Sequence, residues 1–368
     1  MSAKKGKVLM AMSGGIDSTV SALLLQEQGY ELAGATFRTY DNPQDSSMTT
    51  DRGCCSADAV TEAKQMADRL GIEHHILDFR QVFREHVIGN FIDEYMHGRT
   101  PNPCVLCNSH IKWGFLMEQA DRLGCTHIAT GHYARIIECG GHWYLGQAAD
   151  RIKDQTYFLW MLTEENLKRT IFPLGNYTKQ EVRQMAADRG FFKLSQKGES
   201  QEICFIPDNN YRRFLSDNVK DFARQCQAGN YLDMSGKAVG SHEGFPNYTI
   251  GQRKGLKIAF GVPKYVVAID AQRNTVTLGD REDLLSRHLT ADHCRFTDIS
   301  QIQDNYECLA RIRYKSPAEP ATISFASDTE GHPLMKLQFS QPVWGVTPGQ
   351  SVVLYRDGLV IGGGIIKG

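Results

Sequence analysis

The sequence predicts an α/β protein, a parallel sheet covered by helices on both faces, followed by a small β domain expected to form a barrel. Three observations predict it. Through the first half of the chain, short apolar runs alternate with segments whose apolar residues recur at helical spacing. In the second half the period shifts toward two, with short runs separated by Asp, Asn, Gly and Pro turns. Between the first apolar run and the first helical pattern lies a turn of glycines and serines, Ser13-Gly14-Gly15-Ile16-Asp17-Ser18.

Taken in order, Val8–Met12 reads as a buried strand. Val20, Leu23 and Leu24 share the spacing of one helical face, with Gly29 as the C-cap. Ser56 can N-cap a helix in which Val60, Ala63, Met66, Ala67 and Leu70 form an apolar stripe ended by Gly71. His74–Asp78 reads as a short strand, Gln81–Tyr95 as a helix, and Asn108–Leu123 as another with Ile111, Phe115 and Leu116 on one face. His127–Thr130 reads as a strand running into Gly131-His132-Tyr133. Ligands of open parallel sheets sit beyond the C-terminal strand ends, so the loops after Met12, Phe37 and Thr130 are expected to converge. The character changes near Pro207. Tyr211–Gln225 reads as a charged helix, and the later strands are Tyr265–Ile269, Thr275–Leu278, Leu309–Tyr314, Thr322–Phe325, Leu337–Phe339 and Ser351–Tyr355. Asp41–Thr50, with its Asn, Pro, Ser and Thr, reads as a loop.

A length of 368 residues accommodates two or three domains, and 41% hydrophobic with 23% charged residues is ordinary for a globular protein. No apolar stretch reaches membrane-spanning length and no signal peptide is read, so a cytoplasmic protein is expected. Ten cysteines in such a chain are expected to be mostly buried apolar residues, with a minority doing chemistry. The net charge of −1 neither favours nor disfavours a nucleic-acid partner; only a local basic patch could do that.

A glycine pair between a strand and a helix lets backbone N–H groups converge on an anion at the helix N-terminus. Ser13 and Ser18 add hydroxyl donors, and Asp17 is placed to hold a cation beside the phosphates. No Gly-Lys-Ser/Thr follows, so this is not a Walker A loop. It resembles the pyrophosphate loop of ATP pyrophosphatases, which adenylate an oxygen and release pyrophosphate. That motif alone fits a tRNA thiolase, a GMP or NAD synthetase, or an argininosuccinate synthetase.

Cys104-Val-Leu-Cys107 follows Thr100-Pro-Asn-Pro103 and precedes a helix, so its thiols lie near a helix N-terminus, where a thiolate is favoured. A lone Cys-x-x-Cys is compatible with zinc, an iron–sulfur cluster, redox chemistry or coincidence; no second such pair supports structural zinc. Cys204 lies in Glu199–Pro207, where apolar residues alternate with polar ones, and Cys54-Cys55 sits on the loop before the second helix. Cys125, Cys139, Cys226, Cys294 and Cys308 read as ordinary packing residues, and His132 reads equally as catalytic or as loop packing.

Seven segments in order make a family resemblance specific: Ala11–Ser18, Thr100–Asn108, Ala129–Arg135, Lys153–Leu159, Glu199–Ile206, Ile250–Leu256 and Thr347–Gln350. This set resembles the bacterial tRNA-specific 2-thiouridylase family across essentially the whole chain. The resemblance implies ATP-dependent replacement of oxygen by sulfur at C2 of the wobble uridine of tRNA. It implies a Rossmann-like pyrophosphate-loop domain over 1–208, a small central tRNA-binding domain over 209–283 and a C-terminal β-barrel over 284–368. Carried over by position, Ala11, Met12, Ser13, Gly14, Gly15, Ile16, Asp17 and Ser18, with Phe37 and Gly131, would hold ATP with Mg2+. Cys204 would carry the persulfide and Cys107 would be its partner thiol, the two ending as a disulfide that a reductant clears. Asn102, Pro103 and Cys104 would face the target base; Lys153, Asp154, Gln155, Arg313 and Tyr314 would contact tRNA. The implied partners are the Lys, Glu and Gln isoacceptors and a sulfur-relay protein or cysteine desulfurase, with no membrane. The basic segments Gln252–Lys257 and Arg311–Lys315 are expected to supply phosphate contacts.

One position departs from the family pattern, which most often has Asp where this chain has Cys104. Cys104 could replace that carboxylate as a thiol of shifted pKa. Alternatively Cys104, Cys107 and Cys204 could ligate three irons of a 4Fe–4S cluster, as proposed for related three-cysteine thiolases.

Overall fold

The computed structural model describes residues 5–40, 57–196, 198, 203–258 and 261–367. It divides into two compact units, one of Met1–Val87, Cys104–Asn209 and Asp357–Ile361, the other of Ile88–Pro103, Asn210–Arg356 and Gly362–Gly368.

In the first unit, β1 (Lys7–Ala11), β2 (Glu31–Arg38), β3 (Glu73–Asp78) and β4 (His127–Ala129) belong to one parallel sheet. Next come β5 (Ala134–Cys139) and β6 (His142–Gln147), an antiparallel hairpin, and β7 (Thr170–Ile171), which joins the parallel sheet beside β4. The sheet order is β3-β2-β1-β4-β7, so the chain reverses its direction of travel between β1 and β4. Val8, Leu9 and Met10 are fully buried, which is why β1 is a continuous apolar run without alternation. Residues 359 and 360 pair with the β6 edge of the hairpin.

Helix α1 (Ile16–Glu27) is buried on two faces. Ala22 and Leu25 pack on the sheet cluster with Val8 and Met10; Ile16, Val20 and Leu24 pack with Val182 and Ala186. Leu23, expected on the buried face, is only partly buried. Helix α2 (Ala57–Leu70) buries Ala63 and Ala67, and Ser56 lies outside the described residues. Gly29 and Gly71 both take positive φ, +87° and +66°, as C-terminal caps require.

The helix expected over Gln81–Tyr95 is α3 (Arg80–Phe83), a π turn at Arg84–Ile88, and α4 (Gly89–Met96) of the second unit. The one expected over Asn108–Leu123 starts earlier, as α5 (Pro103–Leu106), then passes through a π segment at Cys107–Phe115 into α6 (Leu116–Arg122). Proline opens that helix because its fixed φ and missing N–H are tolerated in the first turn. Helices α7 (Glu164–Lys168) and α8 (Lys179–Asp188) begin with capping boxes, Thr163 with Asn166 and Thr178 with Glu181, and α9 (Phe192–Gln196) follows.

In the second unit the single helix expected over Tyr211–Gln225 is two, α10 (Tyr211–Asn218) and α11 (Phe222–Gln225). Val219 is extended and Asp221 takes φ +54°, so the chain turns between them. Strands β8 (Gly229–Leu232), β9 (Ala238–His242), β10 (Tyr265–Asp270) and β11 (Thr275–Gly279) form a sheet over a core of Tyr231, Phe245, Tyr248, Val266 and Val276. Strands β12 (Leu285–Phe296), β13 (Tyr306–Arg311), β14 (Glu319–Ser327), β15 (Pro333–Trp344), β16 (Ser351–Arg356) and β17 (Leu359–Ile366) follow in the order β12-β15-β14-β13-β16-β17. Pairing of β17 with β12 closes them into the expected barrel. The strand expected over Leu309–Tyr314 ends at Arg311, because Arg313 and Ser316 close a turn there. Among the described residues no helix is long and apolar enough to cross a membrane.

Candidate active site

Gly14 takes φ +69°, and a Cβ there would meet Glu62 Cβ at 2.9 Å and Ala63 N at 3.0 Å, so α2 leaves room only for glycine. Ser18 Oγ donates to Gly15 O (3.0 Å) and accepts from Ser13 N (3.3 Å), folding the loop back on itself. Gly15 caps α1 without a side chain. First-turn amides, two hydroxyls and a positive helix end therefore form an anion cradle. On the other side of the switch point Gly131 closes in: a Cβ would lie 2.9 Å from Asp17 C and 3.0 Å from Ser18 N. The loops after β1 and β4 thus converge, as the open-sheet rule requires. Phe37, near the end of β2, packs its ring on Phe79 at 5.6 Å.

Asp17 has two partners that the sequence reading missed. Lys179 Nζ donates to both carboxylate oxygens at 2.7 Å, and Tyr133 Oη donates to Oδ1 at 2.8 Å. The Lys179 side chain is 11% exposed and that of Asp17 33%, so the pair is partly shielded from water. Lys179 is the first residue of α8, fixed there by the Thr178–Glu181 box. That box was visible as Thr-x-x-Glu; its meeting with a residue 162 positions away was not. The amides and hydroxyls of the cradle suit an anion such as phosphate.

His132 sits between the rings of Trp113 and Phe172. Lys112 Nζ lies 3.4 Å from its Nε2 and Thr130 Oγ1 lies 2.7 Å from its Nδ1. An ammonium only donates, so Nε2 accepts and the proton belongs on Nδ1. Burial, then the Lys112 charge, pushes His132 well below the usual imidazole range. Burial and the stacked His86 ring lower His110, and burial with His75 lowers His74. The unfolded chain takes up these protons near the ordinary imidazole pKa of about 6.5, and the folded chain only at lower pH. Their stabilisation is therefore present above about pH 6.5 and lost below it. The melting temperature is expected to fall as pH drops from about 7 to about 5, less so in His132→Asn. Scanning calorimetry checks this, and a flat profile would refute it.

Cys104 stands exposed in the first turn of α5 and Cys107 is half-buried one turn on. Cys204 occupies the corner of a turn closed by Ile206 N to Ile203 O (2.8 Å), with Phe205 and Ile206 buried behind it. Phe205 packs edge-on against Phe83 at 5.7 Å and near Tyr40 at 6.5 Å. Burial pushes Cys226 and Cys294 up to about 11 and Cys308 to about 12, values that make poor nucleophiles. Cys54 and Cys55 lie outside the described residues. Among the described residues no group of three or more His, Cys, Asp or Glu side chains is gathered to hold a metal. Cys104, Cys107 and Cys204 do not form such a set.

Of the residues expected to contact tRNA, Lys153 is half-buried and Asp154 is 2% exposed, its carboxylate accepting from Ala148 N at 2.7 Å. Gln155 Oε1 accepts from Tyr133 N at 2.9 Å. In the second unit Arg313 donates to Ile250 O (3.2 Å) and to Thr347 Oγ1, and lies over the Trp344 ring. Arg311 lies over Tyr355, whereas Lys315, Arg253, Lys254 and Lys257 are exposed. Tyr314 is half-buried beside Arg313 in the same turn. Gln350 Nε2 donates to Thr100 O and Pro101 O, both 3.0 Å, so the Thr347–Gln350 segment holds the stretch leading to Asn102 and Pro103.

An anion cradle where two strand-end loops meet places the first unit in the pyrophosphate-loop class of α/β enzymes. Residues 6–208 match the family model for the tRNA methyl transferase HUP domain, 216–280 the tRNA methyl transferase PRC-barrel domain, and 286–366 the aminomethyltransferase beta-barrel domain. The chain is 46% identical to the tRNA-specific 2-thiouridylase MnmA of Amoebophilus asiaticus, over 99% of this chain and 96% of that one. It is 46% identical to the enzyme of the same name from Halothermothrix orenii (98% and 99% covered) and 44% to that of Salinibacter ruber (99% and 94%). The chain belongs to the tRNA-specific 2-thiouridylase family, whose members are tRNA sulfurtransferases.

Proposed function

We propose that this protein uses ATP to exchange the C2 oxygen of the wobble uridine of tRNA, position 34, for sulfur. What supports the reading is one juxtaposition: a pyrophosphate loop in the same compact unit as two accessible cysteines, Cys107 and Cys204. A uracil oxygen is a poor leaving group. Its attack on the α-phosphorus of ATP expels pyrophosphate and leaves an O-adenylate that can depart as AMP. The cradle of Ala11–Ser18 with Gly131 would hold the phosphates, Asp17 the accompanying Mg2+, and Lys179 would offset their charge. Phe37 would line the nucleotide.

The terminal sulfur of a Cys204 persulfide then attacks C2 and AMP leaves. The Cys107 thiolate attacks the Cys204 sulfur, which releases the thiouridine and forms a Cys107–Cys204 disulfide for an external thiol to reduce. Asn102, Pro103 and Cys104 would face the base, which must be splayed from the anticodon loop. Cys104 in place of the usual Asp would serve as the acid/base. Lys153, Arg313 and Tyr314 would contact tRNA, with Asp154 and Gln155 shaping the turn beneath. The working division would be 1–208 for adenylation, 209–283 for tRNA and 284–368 for the barrel. Substrates would be the Lys, Glu and Gln isoacceptors, and a sulfur-relay protein or desulfurase would recharge Cys204.

Mass spectrometry of nucleosides from tRNA incubated with the protein, ATP and a persulfide donor tests this. ATP-dependent 2-thiouridine at position 34 is expected. Turnover of ATP with ammonia as acceptor and no change in tRNA would replace the reading with an amide-forming synthetase.

A further inference from the structure

Between β6 and the short helical turn at Thr156–Phe158 the chain makes a turn braced by carboxylates at both ends. Asp150 Oδ1 accepts from the backbone of Ile152 and Lys153, both at 3.1 Å. Asp154 accepts from Ala148 N at 2.7 Å through Oδ2 and from Thr156 N at 3.3 Å through Oδ1. None of these bonds needs an apolar residue at the corner, where serine, asparagine or glycine would serve the geometry equally. Yet Ile152 stands there 87% exposed, the most exposed large apolar side chain among the described residues. Exposed Arg151 and half-buried Lys153 flank it.

A single exposed apolar residue is ordinary and by itself says nothing. Three features set this one apart: the backbone beneath it is fixed, cations stand on both sides, and the turn is registered against the nucleotide loop. That register comes from the second Asp150 oxygen, which accepts the backbone N–H of Lys179 at 2.9 Å, the residue whose ammonium grips Asp17. A protein partner would need an apolar patch extending over hundreds of square ångströms. One apolar point between two cations suits RNA, where a wedge meets a base face and the cations meet phosphates.

We propose that Ile152 is an apolar wedge that packs against an unstacked base or ribose of the tRNA. Arg151 and Lys153 take flanking phosphates, and Asp150 holds the docked RNA in register with the ATP loop. The inference rests on the reading of tRNA as substrate; it adds Ile152 and makes Asp154 a brace.

The test is tRNA affinity of the full-length protein across a salt series, with thermal melts alongside. Ile152→Ser is expected to weaken binding roughly tenfold through lost apolar burial. Its log–log salt slope should match the wild type, because no phosphate contact is removed. Lys153→Ala should instead flatten that slope by roughly 0.7–0.9. Ile152→Leu should bind as the wild type does, and all melts should coincide. Wild-type affinity in Ile152→Ser overturns the proposal, as does weakened binding to a sulfur-donor protein with tRNA binding unchanged. If the wild-type protein binds no tRNA, the substrate reading fails first and takes this inference with it.

Discussion

Cys204→Ala is expected to abolish thiolation of tRNA while leaving ATP–pyrophosphate exchange in the presence of tRNA. The thiol sits at the corner of a turn that buries Phe205 and Ile206, so losing its sulfur removes the carrier and little packing. Cys107→Ala should behave alike, because the sulfur bound to Cys204 is released only when a second thiolate attacks. Cys104→Asp, which restores the residue most common in the family, should retain activity, since position 104 is exposed and stands in the first helical turn. Assays of 2-thiouridine and of labelled pyrophosphate incorporation separate the two half-reactions. Wild-type thiolation by Cys204→Ala would overturn the sulfur route, whatever the adenylation step does.

Lys179→Ala and Asp17→Asn are expected to lower ATP–pyrophosphate exchange by about 10- to 100-fold. The basis is loss of a hydrogen-bonded charged partner, about 1.5–3 kcal/mol, at roughly 1.4 kcal/mol per factor of ten. Lys179 also lies between Asp17 and the turn that carries Ile152, through its ammonium and its backbone N–H respectively. Lys179→Ala removes only the first link, so its tRNA affinity should stay near wild type. Unchanged exchange in both variants, with native melts, would exclude the pair from the nucleotide site.

Much of the fold was legible because its signals are local. Val8–Met10 announces a strand buried on both faces, Gly29 and Gly71 stop their helices at positive φ, and the Ser13–Ser18 turn carries its anion-binding geometry in its residue types. Elements with weak local signals escaped. The β5–β6 hairpin turns on Gly140-Gly141, a signal that could have been used. Strand β12, Leu-Ser-Arg-His-Leu-Thr-Ala-Asp-His-Cys-Arg-Phe, buries few side chains, so period-two alternation barely shows. Helix α5 begins at Pro103, five residues before the Asn108 start that the apolar spacing gives, because proline fits the first turn and carries no apolar periodicity signal.

By itself the sequence determined the class of chemistry: an anion loop that is not a Walker A loop, two cysteine sites and a chain of motifs in family order. Tertiary structure decided what surrounds each of them. It set Lys179 and Tyr133 on Asp17, brought Gly131 against the backbone of Asp17, and laid Gln350 on Thr100 and Pro101. It also buried Asp154 under Ala148 N and set Arg313 on Ile250 O, two residues that the family resemblance implied as tRNA contacts. The physical reason is range. Caps, turns and periodicity act over a few residues and are written in them, whereas a carboxylate's partner 162 positions away is fixed only when packed strands and helices bring it within bonding distance.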